Sequence, residues 1–127
     1  MADTLTNTTL RDTGSELVVH CHYVCDGTGT TDGVMVDKSA FTLAGVEPTS
    51  LRVMAIRWAT QGMSNALLEW NRGTDVVIAR LNGNGYDDWR PDGKPDTGTG
   101  GDGDIVVTAV GAVSGATYDI TLTLRKE

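Results

Sequence analysis

The amino-acid sequence predicts an all-β fold: an antiparallel β-sandwich with jelly-roll or Greek-key wiring, an N-terminal arm and a long acidic glycine-rich loop. Three observations lead there. The 127 residues hold 18 Thr, 13 Val and 4 Ile against only 4 Glu and 3 Lys, so β-branched residues suited to a pleated surface far outnumber the long charged helix formers. The 16 Gly cluster between short apolar runs, as turns joining many strands require. Those runs alternate with period two, not with the 3.6-residue period of a helix. A chain of this length supports one core, so the reading is residues 1–13 as an arm or edge strand and 14–127 as a single sandwich domain.

Taken in order, residues 1–13 are Thr-rich with only Leu5 and Leu10 as apolar anchors. Residues 16–25 form the first clear strand, with Leu17, Val19, Cys21 and Tyr23 on one face and Val18, His20, His22 and Val24 on the other. The glycine-led segment 26–33 ends it. A short run at 34–36 and a strand around 40–43 follow, and Pro48 marks a turn. Residues 51–59 alternate as Leu51, Val53, Ala55 and Arg57 against Arg52, Met54, Ile56 and Trp58. Strands over 66–71 and 75–81 flank a turn at Gly73, and Asn82-Gly83 then reads as a hairpin signal, because both residues tolerate positive φ. Segment 90–104 is rich in Gly, Pro and Asp and is expected to be a long surface loop. The last strands are 104–110 and 116–125. In the second, Ala116, Tyr118, Ile120, Leu122 and Leu124 alternate with Thr117, Asp119, Thr121, Thr123 and Arg125.

The formal net charge is −7, and no run of Lys and Arg exists to neutralise a row of phosphates, which argues against direct nucleic-acid binding. No apolar stretch approaches the roughly 20 residues that cross a bilayer, and the N-terminus lacks the layout of a signal peptide, so no membrane partner and cytosolic synthesis are expected.

The densest chemical cluster is His20-Cys21-His22-Tyr23-Val24-Cys25. On an extended strand the two His face one way and the two Cys the other, so one tetrahedral metal site cannot collect all four. A Cys21–Cys25 disulfide fails similarly, since four strand residues span roughly 13 Å against a ~7 Å limit. Packed thiols and a solvent- or interface-facing His pair are expected. The acidic loops 26–33 and 92–104 lack the ligand pattern of an EF-hand, and solvated turns are favoured over a weak cation site. Ser15, Ser39, Ser50, Ser64 and Ser114 lie outside any nucleophile elbow, and neighbouring Asp87 and Asp88 point to opposite faces, a poor acid/base pair. No enzyme, cofactor or metal is expected. Trp58, Trp70, Tyr86 and Trp89 leave a glycan-binding reading open beside core packing.

Three strands read as apolar on both faces, around residues 53–58, 76–81 and 105–110. A two-layer sandwich buries one face of each sheet, so the second would need a subunit, an arm or a loop as cover. The candidate interface is Leu5, Leu10, Met54, Ile56, Trp58, Val76, Ile78 and Trp89.

Finally, segments 67–77, 81–90 and 103–126 resemble small virion structural proteins of tailed bacteriophages, particularly marine ones. The resemblance covers about residues 51–127. It implies a decoration or cement protein on the capsid surface, a homotrimer that binds the major capsid protein across capsomers and is made in the host cytoplasm. It brings no active-site residues. The alternative from another class is a glycan-binding sandwich module of a tail or fibre component.

Overall fold

The computed structural model describes residues 4–25 and 33–127. Among them the chain is all-β: ten strands and one 3-10 turn, paired antiparallel into two sheets. The strands are β1 (Thr4–Asp12), β2 (Glu16–Val24), β3 (Gly33–Val36), β4 (Leu51–Gln61), β5 (Asn65–Trp70), β6 (Val76–Leu81), β7 (Asn84–Asp88), β8 (Lys94–Pro95), β9 (Ile105–Val110) and β10 (Thr117–Lys126). The six-stranded sheet runs β1-β2-β10-β4-β7, with β8 also on β4, and the four-stranded sheet runs β3-β9-β5-β6.

β2 and β10 follow the period-two reading without exception. Leu17, Val19, Cys21 and Tyr23 meet Leu124, Leu122, Ile120 and Tyr118 across the ladder, and all eight are buried. Side chains of both sheets enter one apolar cluster, to which the four-stranded sheet adds Leu68, Trp70, Leu81, Ile105 and Val107. Tyr23 and Tyr118 stack in it, ring centroids 4.7 Å apart.

Two of the three two-faced strands, β4 and β6, resolve differently from the sequence reading because β-bulges interrupt them, whereas β9 pairs regularly with β5 and buries Val106 on one face as well as Ile105 and Val107 on the other. Register shifts leave Leu10 in β1, Met35 in β3, Met54 in β4 and Ile78 in β6 without a direct partner. Each extra residue reverses the parity of the residues after it. In β4, Leu51 and Val53 point inward before the bulge and Ile56 and Trp58 after it, so the two supposed faces of 51–59 are one. In β6, Val76, Ile78, Ala79 and Leu81 all pack on the core. Met54 is covered by the chain itself. The Trp89 N–H donates to the Met54 carbonyl at 2.9 Å, and a Cβ on Gly93 would stand 2.6 Å from the Met54 sulfur.

Two further expectations are corrected. The strand around 40–43 is absent: Lys38–Ala40 is the 3-10 turn, and Leu43 and Val46 form an isolated bridge. Asn82-Gly83 closes no hairpin, since β6 lies in one sheet and β7 in the other; it carries the chain across, and the Gly83 carbonyl accepts from the Thr60 N–H at 2.7 Å. Segment 90–104 is largely exposed and irregular apart from the two-residue β8, and it is folded around one side chain. Arg72 pairs with both oxygens of Asp96, whose side chain is fully buried, and donates to the Gly100 carbonyl at 3.1 Å. Glycine is needed there: at Gly101, φ is +60° and a Cβ would meet the Asn71 carbonyl oxygen at 2.6 Å.

All three lysines act as internal struts. Lys126, buried, pairs with Asp12 and donates to the carbonyls of Thr13 (2.9 Å) and Thr42 (2.8 Å). Lys38, also buried, donates to Glu47 (2.6 Å) and the Pro48 carbonyl (3.0 Å), tying down the segment between β3 and β4. Lys94 donates to the Ile78 carbonyl at 2.8 Å, linking the sheets, and sits 4.6 Å from the Trp89 ring centroid.

Candidate functional site

The same alternation that buries one side of β10 aims Thr117, Asp119, Thr121 and Thr123 outward. On the outer face of the six-stranded sheet the register builds rows of polar residues. One row is Thr8, His20, Thr121, Arg57 and Tyr86, across β1, β2, β10, β4 and β7. The next is Thr6, His22, Asp119, Ala59 and Asn84. His20 and His22, two residues apart on β2, converge on one atom: Asp119 Oδ1 accepts from His20 Nε2 at 3.1 Å and from His22 Nδ1 at 2.9 Å. This fixes the carboxylate on an otherwise open surface, where Asp119 keeps 48% of its side-chain exposure.

Ala59 in the second row, and Ala55 in a further row between Thr123 and Asp88, stand where larger side chains would fill the surface, and two depressions lie along the rows. The larger, about 480 Å³, is lined by Ala59, Thr60, Gln61, Gly83, Asn84, Thr117 and Asp119. The other, about 240 Å³, is lined by Ala55, Ile56, Arg57, Tyr86, Thr121 and Thr123. They are neighbours, since Ala59 and Arg57, Asp119 and Thr121, and Asn84 and Tyr86 are successive outward positions of the same strands. Tyr86 stays 51% exposed, with the Arg57 guanidinium 5.5 Å from its ring centroid and Asp88 accepting from its hydroxyl at 3.2 Å.

The thiols lie on the opposite face of β2. Cys21 and Cys25 are buried thiols in no disulfide. Burial pushes the Cys21 thiol up from 9.0 to about 11, against a contact with the Tyr118 hydroxyl. Among the described residues no group of three or more His, Cys, Asp or Glu is placed to hold a metal ion. The loop suggested for residues 26–33 lies, except for Gly33, outside the described residues. In the loop 92–104 three carboxylates serve the protein: Asp96 holds Arg72, Asp102 accepts from Asn71 and from the Asp104 N–H, and Asp104, its pKa raised by burial, accepts from the Lys38 N–H. Asp88 is likewise engaged by Arg90, whose side-chain and backbone hydrogen bonds hold its carboxyl well below the usual range.

The candidate interface residues mostly turn inward. Ile56 and Ile78 belong to the core, and Leu5, Trp58, Val76 and Trp89 pack against it. Met54 is 7% exposed beneath the turn at 89–93. Leu10 alone of the eight is exposed, at 58%, on a bulge of the edge strand. Of the aromatics read as a sugar platform, Trp70 is buried and Trp58 and Trp89 are half-buried, so only Tyr86 is largely open. Sequence reasoning missed Asp119 and the outward Thr residues as a group, although the strict alternation of β10 carried the signal. The comparisons add no relative: no family model, no curated protein and no solved structure matches the chain.

Proposed function

We propose that this chain is a virion structural protein of a tailed bacteriophage, a β-sandwich that decorates the capsid surface as a trimer and adds contact across capsomers. The observation that carries the reading is on the outer face of the four-stranded sheet. There the cross-strand row Val34, Val106, Glu69 and Val77 presents Val34 and Val77 at 43% and 49% exposure, and Leu10 adds a third exposed apolar side chain on the long edge strand. Apolar side chains kept at a sheet surface and edge fit contacts with other chains. The resemblance of residues 51–127 to phage virion proteins supports the same reading. Each copy stabilises the shell by mass action, since it binds the assembled lattice and not the free capsid subunit.

Light scattering on the purified chain tests the oligomer. The expected mass is that of three chains, falling toward one in Val77→Asp; a single-chain mass for the unaltered protein across the micromolar range would overturn the trimer.

A further inference from the structure

We propose that the outer face of the six-stranded sheet binds a neutral carbohydrate chain along the trough between β10, β4 and β7. The site is distinct from the apolar face used in the proposed assembly and stands independently of it.

Shape comes first. The two adjoining depressions follow β10 from Thr117 to Thr123, six residue steps or about 20 Å at ~3.3 Å per step. That is an open, elongated surface, suited to a chain and not to an enclosed small molecule. A peptide strand gains little on it, because the N–H and C=O groups beneath are already spent in the ladders of β10 with β2 and β4.

The chemistry of the lining selects the ligand. A sugar ring offers vicinal hydroxyls, each both donor and acceptor, and a C–H face. The trough answers with planar polar groups that engage two hydroxyls at once, Asp119, Asn84 and Gln61, and with the hydroxyls of Thr117 and Thr121. Tyr86 and the Arg57 guanidinium supply flat surface at one end. Asp119 is already oriented by His20 and His22, so little side-chain freedom is lost on binding. A phosphate or sulfate chain is disfavoured by Asp119 in the lining and by the net charge of −7. An apolar ligand would find as apolar side chains only Ala55, Ile56 and the Tyr86 ring in the smaller depression and Ala59 in the larger, amid a lining that is otherwise polar or glycine. A single carboxylate lines the depressions, so the site holds a glycan without the paired carboxylates that hydrolysis uses.

The test is an NMR titration of the 15N-labelled full chain with soluble β-glucan, xylan and mannan oligosaccharides and, separately, a sulfated oligosaccharide. The expected result is that at least one neutral series, at millimolar concentration, shifts amides within 57–61, 84–86 and 117–123. Tyr86→Ala and Asp119→Ala should each weaken that binding by about tenfold or more, while Val46→Ser, at an exposed site elsewhere, leaves it unchanged. Gln61→Ala, at an exposed position, repeats the test should Asp119→Ala alter the fold, as judged by its thermal midpoint. The proposal is overturned if no neutral oligosaccharide shifts these amides, if binding survives both Tyr86→Ala and Gln61→Ala undiminished, or if only the sulfated probe binds.

Discussion

Lys126 is a charged side chain in the interior, and its ammonium is tolerated because Asp12 and two carbonyls surround it. Lys126→Ala strands those carbonyls but leaves Asp12, 43% exposed, able to rehydrate. The loss should therefore be about 2–3 kcal/mol, below that for a fully buried pair, and urea unfolding measures it. Cys21 gives a pH dependence. Its thiol is held protonated in the fold, so the stability it contributes is complete below about pH 9 and is lost as pH rises toward about 11. Tyr118, also pushed up by burial, acts in the same direction above its ordinary value of 10.0. Unfolding midpoints should fall across that alkaline window, and less steeply in Cys21→Val. Thiol reagents should find neither cysteine in the native protein and both after denaturation.

At the scale of elements, β2 and β10 were fully legible in the sequence because each is regular over its whole length and buried on one side. β4 and β6 were not, since a bulge is decided by the partner's register, which lies elsewhere in the chain. Period-two reading assigned Met54 and Ile78 to a second apolar face, where the bulges instead place them under the chain's own turn or in its core. The order of segment 90–104 was hidden for a related reason: its composition is that of a solvated loop, and only the tertiary position of Arg72 gives it a centre. Arg72→Lys loses the forked contact with Asp96, so amide exchange should quicken in residues 96–103 while β2 and β10 stay protected. Gly101→Ala should cost about 1–3 kcal/mol, whereas Gly14→Ala, with open space around it, should change stability by no more than about 0.5 kcal/mol.

Across the whole molecule, the two sheets share one core and differ on their outer faces. The six-stranded sheet is polar outside, with a carboxylate clamped by two imidazoles beside an open trough; the four-stranded sheet keeps valines there. The proposed protein contact falls on the valine-bearing face and the proposed glycan site on the polar one, while the buried Lys38 and Lys126 hold loops. The proposed assembly role is tested most directly by co-sedimentation of the purified chain with expanded heads of the tailed phage to which the proposal assigns it. The expected result is saturable binding that raises the temperature at which the heads rupture, with loss of both effects in Val34→Asp/Val77→Asp. Heads that neither retain the unaltered chain nor gain stability from it would contradict a decorating role.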